Sequence, residues 1–362
     1  MIKHRDHFHG SDLEKIEAIY HIKKEEITSF SANVNPLGIS PRLRAELAAR
    51  IDAIMAYPDR EYTALRQSIA DYCGAESADI IVGNGTSELI SLFIQITHPK
   101  RAMILGPTYS EYEREVSLAG GRTNYYPLHE EEEFKLNLPE FLGRLSDELD
   151  LIVLCNPNNP TGTAVSRSDM RLILDACKQH HTFVLVDETY IEFVGDYAAV
   201  SSVPLCHDYN NIIVLRGTSK FFAAPGLRLG FAICGNPDLL DEINHHKSPW
   251  MVGALADVAG QILFSDTDYI HRTKELIASE RARLYTLYQN SQRFHPFAPQ
   301  ANFMLLRILD ETLDSRQLFE RAIREKMMIR DCSTFPFLND RFIRFCFMMP
   351  EENDRLAECL LR

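Results

Sequence analysis

Between about residues 80 and 235, short apolar runs rich in β-branched residues alternate with amphipathic stretches. Ile80-Ile81-Val82 ends at Gly83-Asn84-Gly85, and the segment that follows to Ile96 puts Leu89, Ile90 and Phe93 on one helical face. Thr86 stands in the N-cap position of that predicted helix. Ala102–Leu105, Leu151–Cys155, Phe183–Val186, Ile212–Leu215 and Leu229–Cys234 read as further strands, with Arg167–Gln179 as one of the helices between them. Continuously apolar strands spaced by helices predict an α/β fold, a mostly parallel sheet sandwiched by helices. Ligands of such sheets sit at the carboxyl ends of the strands, so chemistry is expected just after the apolar runs.

The pattern changes after Pro249. A long helical region, about 254–289, precedes a strand over Asn302–Arg307, a helix over Ser315–Glu325, a strand over Arg341–Phe347 and a last helix from Glu351. This predicts a smaller α+β domain. The polar, turn-rich first 40 residues are expected to cover the site rather than form a core. The expected division is residues 1–45 as a segment over the site that joins the small domain, 46–250 as the large domain and 251–362 as the small one. The acidic run Glu130–Glu133 reads as a solvated loop.

Composition narrows the function classes. A chain of 362 residues, 45% hydrophobic and 25% charged, suits a soluble protein of two domains. Its net charge of −13 disfavours a nucleic-acid partner, whose phosphates need basic residues. No apolar run approaches the roughly 20 residues of a membrane span, and Met1-Ile2-Lys3-His4-Arg5-Asp6 lacks the apolar centre of a secretory signal. Eight cysteines without a Cys-x-x-Cys pair read as reduced thiols of a cytoplasmic protein. His4-x-x-His7-x-His9 has chelating spacing, but no His-Glu-x-x-His occurs and no metal site is expected.

Four polar motifs follow strand candidates in order. Gly83-Asn84-Gly85-Thr86-Ser87 opens a helix, where free amides favour an anion, although many such turns are only turns. Asn156-Pro157-Asn158-Asn159-Pro160-Thr161-Gly162 presents Asn159 rigidly. Asp187-Glu188-Thr189-Tyr190 ends a very apolar strand; its carboxylate either caps a turn or meets a cationic partner. Thr218-Ser219-Lys220 precedes Pro225-Gly226-Leu227-Arg228-Leu229-Gly230. A lysine at a strand mouth is desolvated and becomes a usable amine nucleophile, whereas a lone surface lysine does not. Arg228 can form paired bonds to a phosphate. Together these parts suit pyridoxal 5′-phosphate: an aldehyde for Lys220, a pyridine nitrogen for Asp187, a ring hydroxyl for Asn159 and Tyr190, and a phosphate for Gly85, Thr86 and Arg228.

The ordered set Gly85-Thr86, Tyr109, Asn159-Pro160-Thr161-Gly162, Asp187-x-x-Tyr190, Ser219-Lys220 and Arg228-x-Gly230 resembles the fold-type-I pyridoxal-phosphate enzymes of aminotransferase class I/II, nearly end to end. The resemblance implies that Tyr109 stacks on the cofactor ring, with Ser87, Thr218 and Ser219 also at the cofactor. It implies a homodimer in which Tyr57, in Ala56-Tyr57-Pro58-Asp59, reaches the neighbouring subunit's cofactor phosphate. Arg344, in Phe342-Ile343-Arg344-Phe345, matches the clamp for a substrate α-carboxylate, with Asn33 beside it. A finer resemblance is to the threonine-phosphate decarboxylases of cobalamin biosynthesis. It rests on His9-Gly10, Ser31-Ala32-Asn33-Val34-Asn35-Pro36-Leu37-Gly38, Tyr57-Pro58-Asp59, Pro249-Trp250 and Met328-Ile329-Arg330-Asp331-Cys332. The histidinol-phosphate aminotransferases share most of that core. Arg330 and His9 are the candidates for a substrate phosphate. Two departures stand out: Gly217 where the family has a hydroxyl residue, with Thr218 as its possible substitute, and Ser11 where a second glycine is usual.

The resemblance implies decarboxylation of O-phospho-L-threonine, with amino transfer from histidinol phosphate to 2-oxoglutarate as the alternative, and O-phospho-L-serine as a further substrate to weigh. Which bond at Cα stands perpendicular to the ring decides between losing CO2 and losing a proton, and no sequence displays that tilt. A regulator that keeps the fold would need a basic DNA-binding module, which this chain lacks.

Overall fold

The computed structural model describes Gly10 and residues 12–362. Seven strands form the larger sheet: β1 (Ile80–Gly83), β2 (Arg101–Gly106), β3 (Arg122–Pro127), β4 (Leu151–Cys155), β5 (Phe183–Asp187), β6 (Ile212–Gly217) and β7 (Gly230–Ile233). Their spatial order is β1-β7-β6-β5-β4-β2-β3. All neighbours run parallel except β7, which is antiparallel to both β1 and β6. The α/β expectation holds, and the sheet is mixed through that one strand.

Alternation explains why the central strands read as unbroken apolar runs. Ile152, Leu154, Val184, Val186, Ile212 and Val214 join the core on one face. Leu151, Val153, Leu185, Ile213 and Leu215 join the core on the other. Successive side chains point to opposite faces, so a strand covered on both sides must be apolar throughout. Among the covering helices are α1 (Thr86–Thr97) and α2 (Arg167–Gln179). The edge strand β3 carries Arg-Thr-Asn-Tyr-Tyr-Pro, in which only Tyr126 is buried, so its sequence has no apolar run to mark it as a strand.

A second, four-stranded antiparallel sheet follows: β8 (Phe294–Pro296), β9 (Phe303–Ile308), β10 (Arg330–Asp331) and β11 (Phe342–Cys346), in the order β10-β11-β9-β8. The predicted long helix is two, α3 (Ala254–Leu263) and α4 (Thr267–Gln289). Asp266 separates them because its carboxylate accepts from the Tyr269 amide as the N-cap of α4.

Three local expectations are corrected. Thr86 is the first residue of α1, and Gly85, at φ 86°, is the N-cap. The positive φ favours glycine there, and a Cβ would lie 2.1 Å from an Arg228 guanidinium nitrogen and push that side chain aside. The early segment does more than cover the site: Ile16, Ile27 and Phe30 are core residues, and Thr28–Ser29 pairs parallel with Met327–Met328. The glutamate run makes a 3-10 turn whose ends hold the smaller sheet, Glu130 by Arg307 and Glu133 by His295 at 3.1 Å.

The ends of β5 and β6 are tied together beneath the surface. Arg216 and Glu188 pair at 2.6 Å with both side chains fully buried. The Arg216 guanidinium also donates to Ser201 Oγ at 2.8 Å and lies over the Tyr197 ring. Arg216→Met should cost about 3–5 kcal/mol, because it leaves Glu188 buried without its cation. Equilibrium denaturation of the variant measures this, and a loss below 1 kcal/mol on that scale would mean that the pair does not hold the strand ends.

Candidate active site

A cavity of about 340 Å³ opens at the carboxyl ends of the large-sheet strands, and its far wall is the smaller sheet. Cys155 ends β4, Asp187 ends β5 and Gly217 ends β6, and all three line it. Lys220 follows three residues after Gly217, half-buried, its Nζ donating to the Ala32 carbonyl at 2.7 Å. Desolvation, reinforced by the positive charges of Arg344 and Arg228, holds this amine down to about 8. At pH 7 about a tenth of the amine is therefore unprotonated and nucleophilic, far more than for an unperturbed lysine.

Asp187 is 4% exposed. Burial pushes its carboxyl upward, against hydrogen bonds that favour the anion: Thr189 N at 2.9 Å, Thr189 Oγ1 at 2.5 Å and Tyr112 Oη at 2.7 Å. Tyr109 lines the same cavity, and burial pushes its phenol up to about 12, so the ring stays neutral. Tyr190 is buried and accepts from Asn33 Nδ2 at 3.2 Å. Asn33 holds φ 56°, a left-handed conformation that turns its side chain into the cavity wall.

The first amides of α1 lack helical acceptors, and Thr86, Ser87, Ser219 and Arg228 line the cavity. Arg228 is held by the Asn84 and Pro225 carbonyls, each at 3.2 Å. The glycines shape this cradle: a Cβ on Gly230 would lie 2.5 Å from the Thr86 amide nitrogen. Thr218 is not part of it. That residue is fully buried, its hydroxyl bonded to the Leu229 carbonyl at 3.1 Å, so it does not replace the hydroxyl missing at Gly217. A Cβ on Gly217 would come within 3.2 Å of Thr86 Cγ2, which crowds any larger residue there.

The smaller sheet contributes two arginines in register, Arg330 on β10 directly opposite Arg344 on β11. Arg344 is 4% exposed, held by Asn159 Oδ1 and by the Ser31 carbonyl at 2.7 Å, over the Phe303 ring. Among the described residues, its Nε, Ser31 Oγ and Asn33 Oδ1 are buried polar atoms without a hydrogen-bond partner. Arg330 donates to Thr334 Oγ1 at 3.0 Å and lies over Phe335. Beyond Phe335 and Pro336, Phe337 crosses back to the large sheet and sets its ring against Gly106 and Tyr125. A Cβ on Gly106 would lie 2.4 Å from that ring.

The remaining expectations separate. Gly85, Thr86, Ser87, Tyr109, Asn159, Asp187, Tyr190, Ser219, Lys220, Arg228, Asn33, Arg330 and Arg344 meet around this one cavity. Tyr57 does not; it is 79% exposed and packs on Trp250 with centroids 4.7 Å apart. His4, His7, His9 and Ser11 lie outside the described residues. Sequence reasoning missed Tyr112, Thr189, Ser31 and Thr334. Tyr112 lies at the start of the helix Glu111–Leu118, and no local pattern marks its contact with Asp187. Among the described residues, no group of three His, Cys, Asp or Glu could hold a metal, and no helix is long and apolar enough to cross a membrane.

These residues fit pyridoxal 5′-phosphate. A buried, depressed amine suits its aldehyde, a buried carboxylate suits a protonated pyridine nitrogen, and a helix start with an arginine suits its phosphate. The fold is that of the pyridoxal-phosphate-dependent aminotransferases. The chain belongs to the family described as aminotransferase class I and II, whose model matches residues 25–360, and it is a pyridoxal-phosphate-dependent enzyme. It is 36% identical, over 91% of its own length and 88% of the relative's, to a protein of Caldanaerobacter subterraneus subsp. tengcongensis that carries threonine-phosphate decarboxylase as a provisional name. It is 31% identical to the threonine-phosphate decarboxylase of Salmonella typhimurium over 97% of this chain and 95% of that one. The histidinol-phosphate aminotransferase of Clostridium acetobutylicum superposes with a TM-score of 0.85 at 30% identity, covering 91% of this chain and 97% of that one.

The depressed amine has a thermodynamic consequence. The unfolded chain binds the Lys220 proton more tightly than the folded one, so cofactor-free protein gains stability as pH rises from about 8 towards 10.5. Lys220→Met should remove that contribution. Denaturation at a series of pH values should find the variant more stable than the parent below pH 8, with the difference shrinking above it.

Proposed function

We propose that this enzyme decarboxylates O-phospho-L-threonine to (R)-1-amino-2-propanol O-2-phosphate and CO2, providing the linker of the cobalamin nucleotide loop. The observation that carries the reading is the in-register pair Arg330 and Arg344 in one cavity, taken with two similar proteins named for this activity. Two adjacent guanidinium groups repel unless each faces an anion, and phosphothreonine carries two on a short chain. Histidinol phosphate carries a phosphate ester at the carbon where an amino acid has its carboxylate, so it offers one anion and would leave one arginine to a second substrate. That aminotransferase remains the other reading, favoured by the Clostridium structure.

In this reading Arg344 binds the α-carboxylate and Arg330, with Thr334, binds the phosphate. Arg344 is pinned by Asn159 and Ser31, so it fixes the direction in which the carboxylate leaves. Bound at Lys220, Asp187 and the α1 cradle, the cofactor supplies an electron sink for the bond breaking at substrate Cα. Lys220 then delivers the proton that replaces CO2 at Cα, a task suited to an amine held near 8. His9 would add to the phosphate site. Phosphoserine differs by one methyl group, worth about 1–3 kcal/mol in an apolar pocket, and is expected to be a poorer substrate.

We assign residues 46–250 to a large cofactor-binding domain, 251–362 to a small domain, and 1–45 to a segment joining the small domain over the site. Ile54, Met55 and Tyr57 are 62%, 84% and 79% exposed, an apolar patch that supports a homodimer in which Tyr57 reaches the partner's cofactor phosphate. Eight free cysteines, seven of them buried, support a cytoplasmic location.

Phosphothreonine should release CO2 at the same rate with and without 2-oxoglutarate; amino transfer without CO2 would select the aminotransferase. Lys220→Ala should abolish turnover. Arg330→Ala should raise KM for phosphothreonine roughly tenfold to a hundredfold, the worth of a charge-assisted hydrogen bond, and leave binding of unphosphorylated threonine nearly unchanged. Equal losses for both ligands would assign Arg330 to the fold.

A further inference from the structure

We propose that Tyr112 is a positioning residue for the cofactor's ring nitrogen, acting through the carboxylate of Asp187. The inference rests on Asp187 facing that nitrogen.

The two carboxylate oxygens of Asp187 are served differently. One accepts from the amide and the hydroxyl of Thr189, two residues along the same turn. Those bonds travel with the turn and do not fix it relative to the rest of the cavity. The other oxygen accepts from Tyr112 Oη, which arrives from the helix Glu111–Leu118, 75 residues away in sequence. Tyr112 is 1% exposed, so no solvent can substitute for its hydroxyl. Burial keeps its phenol protonated, which makes it a donor. Its hydroxyl also sits beside Cys155, the residue paired with Asp187 across β4 and β5. A phenol wedged over two strand ends therefore sets the rotamer of Asp187 from outside its own loop.

The same helix start controls a second coordinate. Tyr109 meets Tyr112 edge to face at 5.5 Å, and Tyr109 lines the cavity beside Asp187. One short segment thus places both an aromatic wall and the carboxylate. Removing the Tyr112 hydroxyl leaves Asp187 with donors on one oxygen only. The anion is then less favoured and its direction less constrained. A protonated or rotated Asp187 no longer answers a charged ring nitrogen.

The test compares pyridoxal 5′-phosphate with its 1-deaza analogue, in which a C–H replaces the ring nitrogen. Both carry the aldehyde and the phosphate, so the contributions of Lys220 and of the cradle cancel in the ratio of their affinities. Cofactor-free full-length protein is titrated with each ligand by absorbance, as the parent and as Tyr112→Phe, and thermal unfolding confirms that both are folded. The parent should prefer the natural cofactor, and Tyr112→Phe should lower that preference about tenfold while binding the analogue as the parent does. Equal weakening of both ligands, or no change in either, would overturn the assignment of Tyr112. A parent without any preference would overturn the role of Asp187 itself, and the inference with it.

Discussion

Hiding an amine and a carboxyl group from water at the mouths of adjacent strands is unfavourable, and much of this molecule is arranged around that cost. Desolvation pulls Lys220 down and pushes Asp187 up, and each shift moves the group toward its neutral form. For the lysine the shift is useful, since a neutral amine is the reactive one. For the aspartate it is opposed, by three donors that favour the anion. The same burial thus acts in two directions, and neighbouring groups decide which one prevails. Arg344 and Arg228 add to the effect on the amine, while among the described residues no acidic side chain bonds to its nitrogen.

Behind this arrangement lies the Arg216–Glu188 pair. Glu188 follows Asp187, and Arg216 lies on β6, whose end leads to Lys220. A fully buried ion pair contributes little net stability against an apolar alternative, but it is strict about geometry. Holding the two strand ends in one relation keeps the residues that follow them in one relation too.

The central architecture was legible because strands covered on both faces must be apolar throughout, so Leu151–Cys155 and Phe183–Val186 stand out in a bare sequence. The polar motifs that follow those runs were legible for the same reason, and thirteen of the named residues converge on one cavity. Other features left no such trace. β3 is an edge strand whose sequence, Arg-Thr-Asn-Tyr-Tyr-Pro, has no apolar run to mark it. The break between α3 and α4 is a single capping aspartate inside a continuous helical pattern. Thr218 lies next to the expected position and has a hydroxyl, but its orientation follows from Leu229, eleven residues on. Tyr112 matters through what it touches, and contacts 75 residues apart in sequence are not written in any local pattern.

Phe337, in the loop between β10 and β11, reaches the end of β2 and rests where Gly106 has no side chain. Phe337 adopts φ 68°, a conformation that a bulky residue holds only when its surroundings compensate. The aromatic knob and its bare notch form a matched set split between two sheets. A residue larger than glycine at position 106 therefore requires the Phe337 ring to move, so a change at either position involves both partners at once. The seat of the loop that carries Thr334 and Phe335 is thus tied to a pair lying outside the cavity lining.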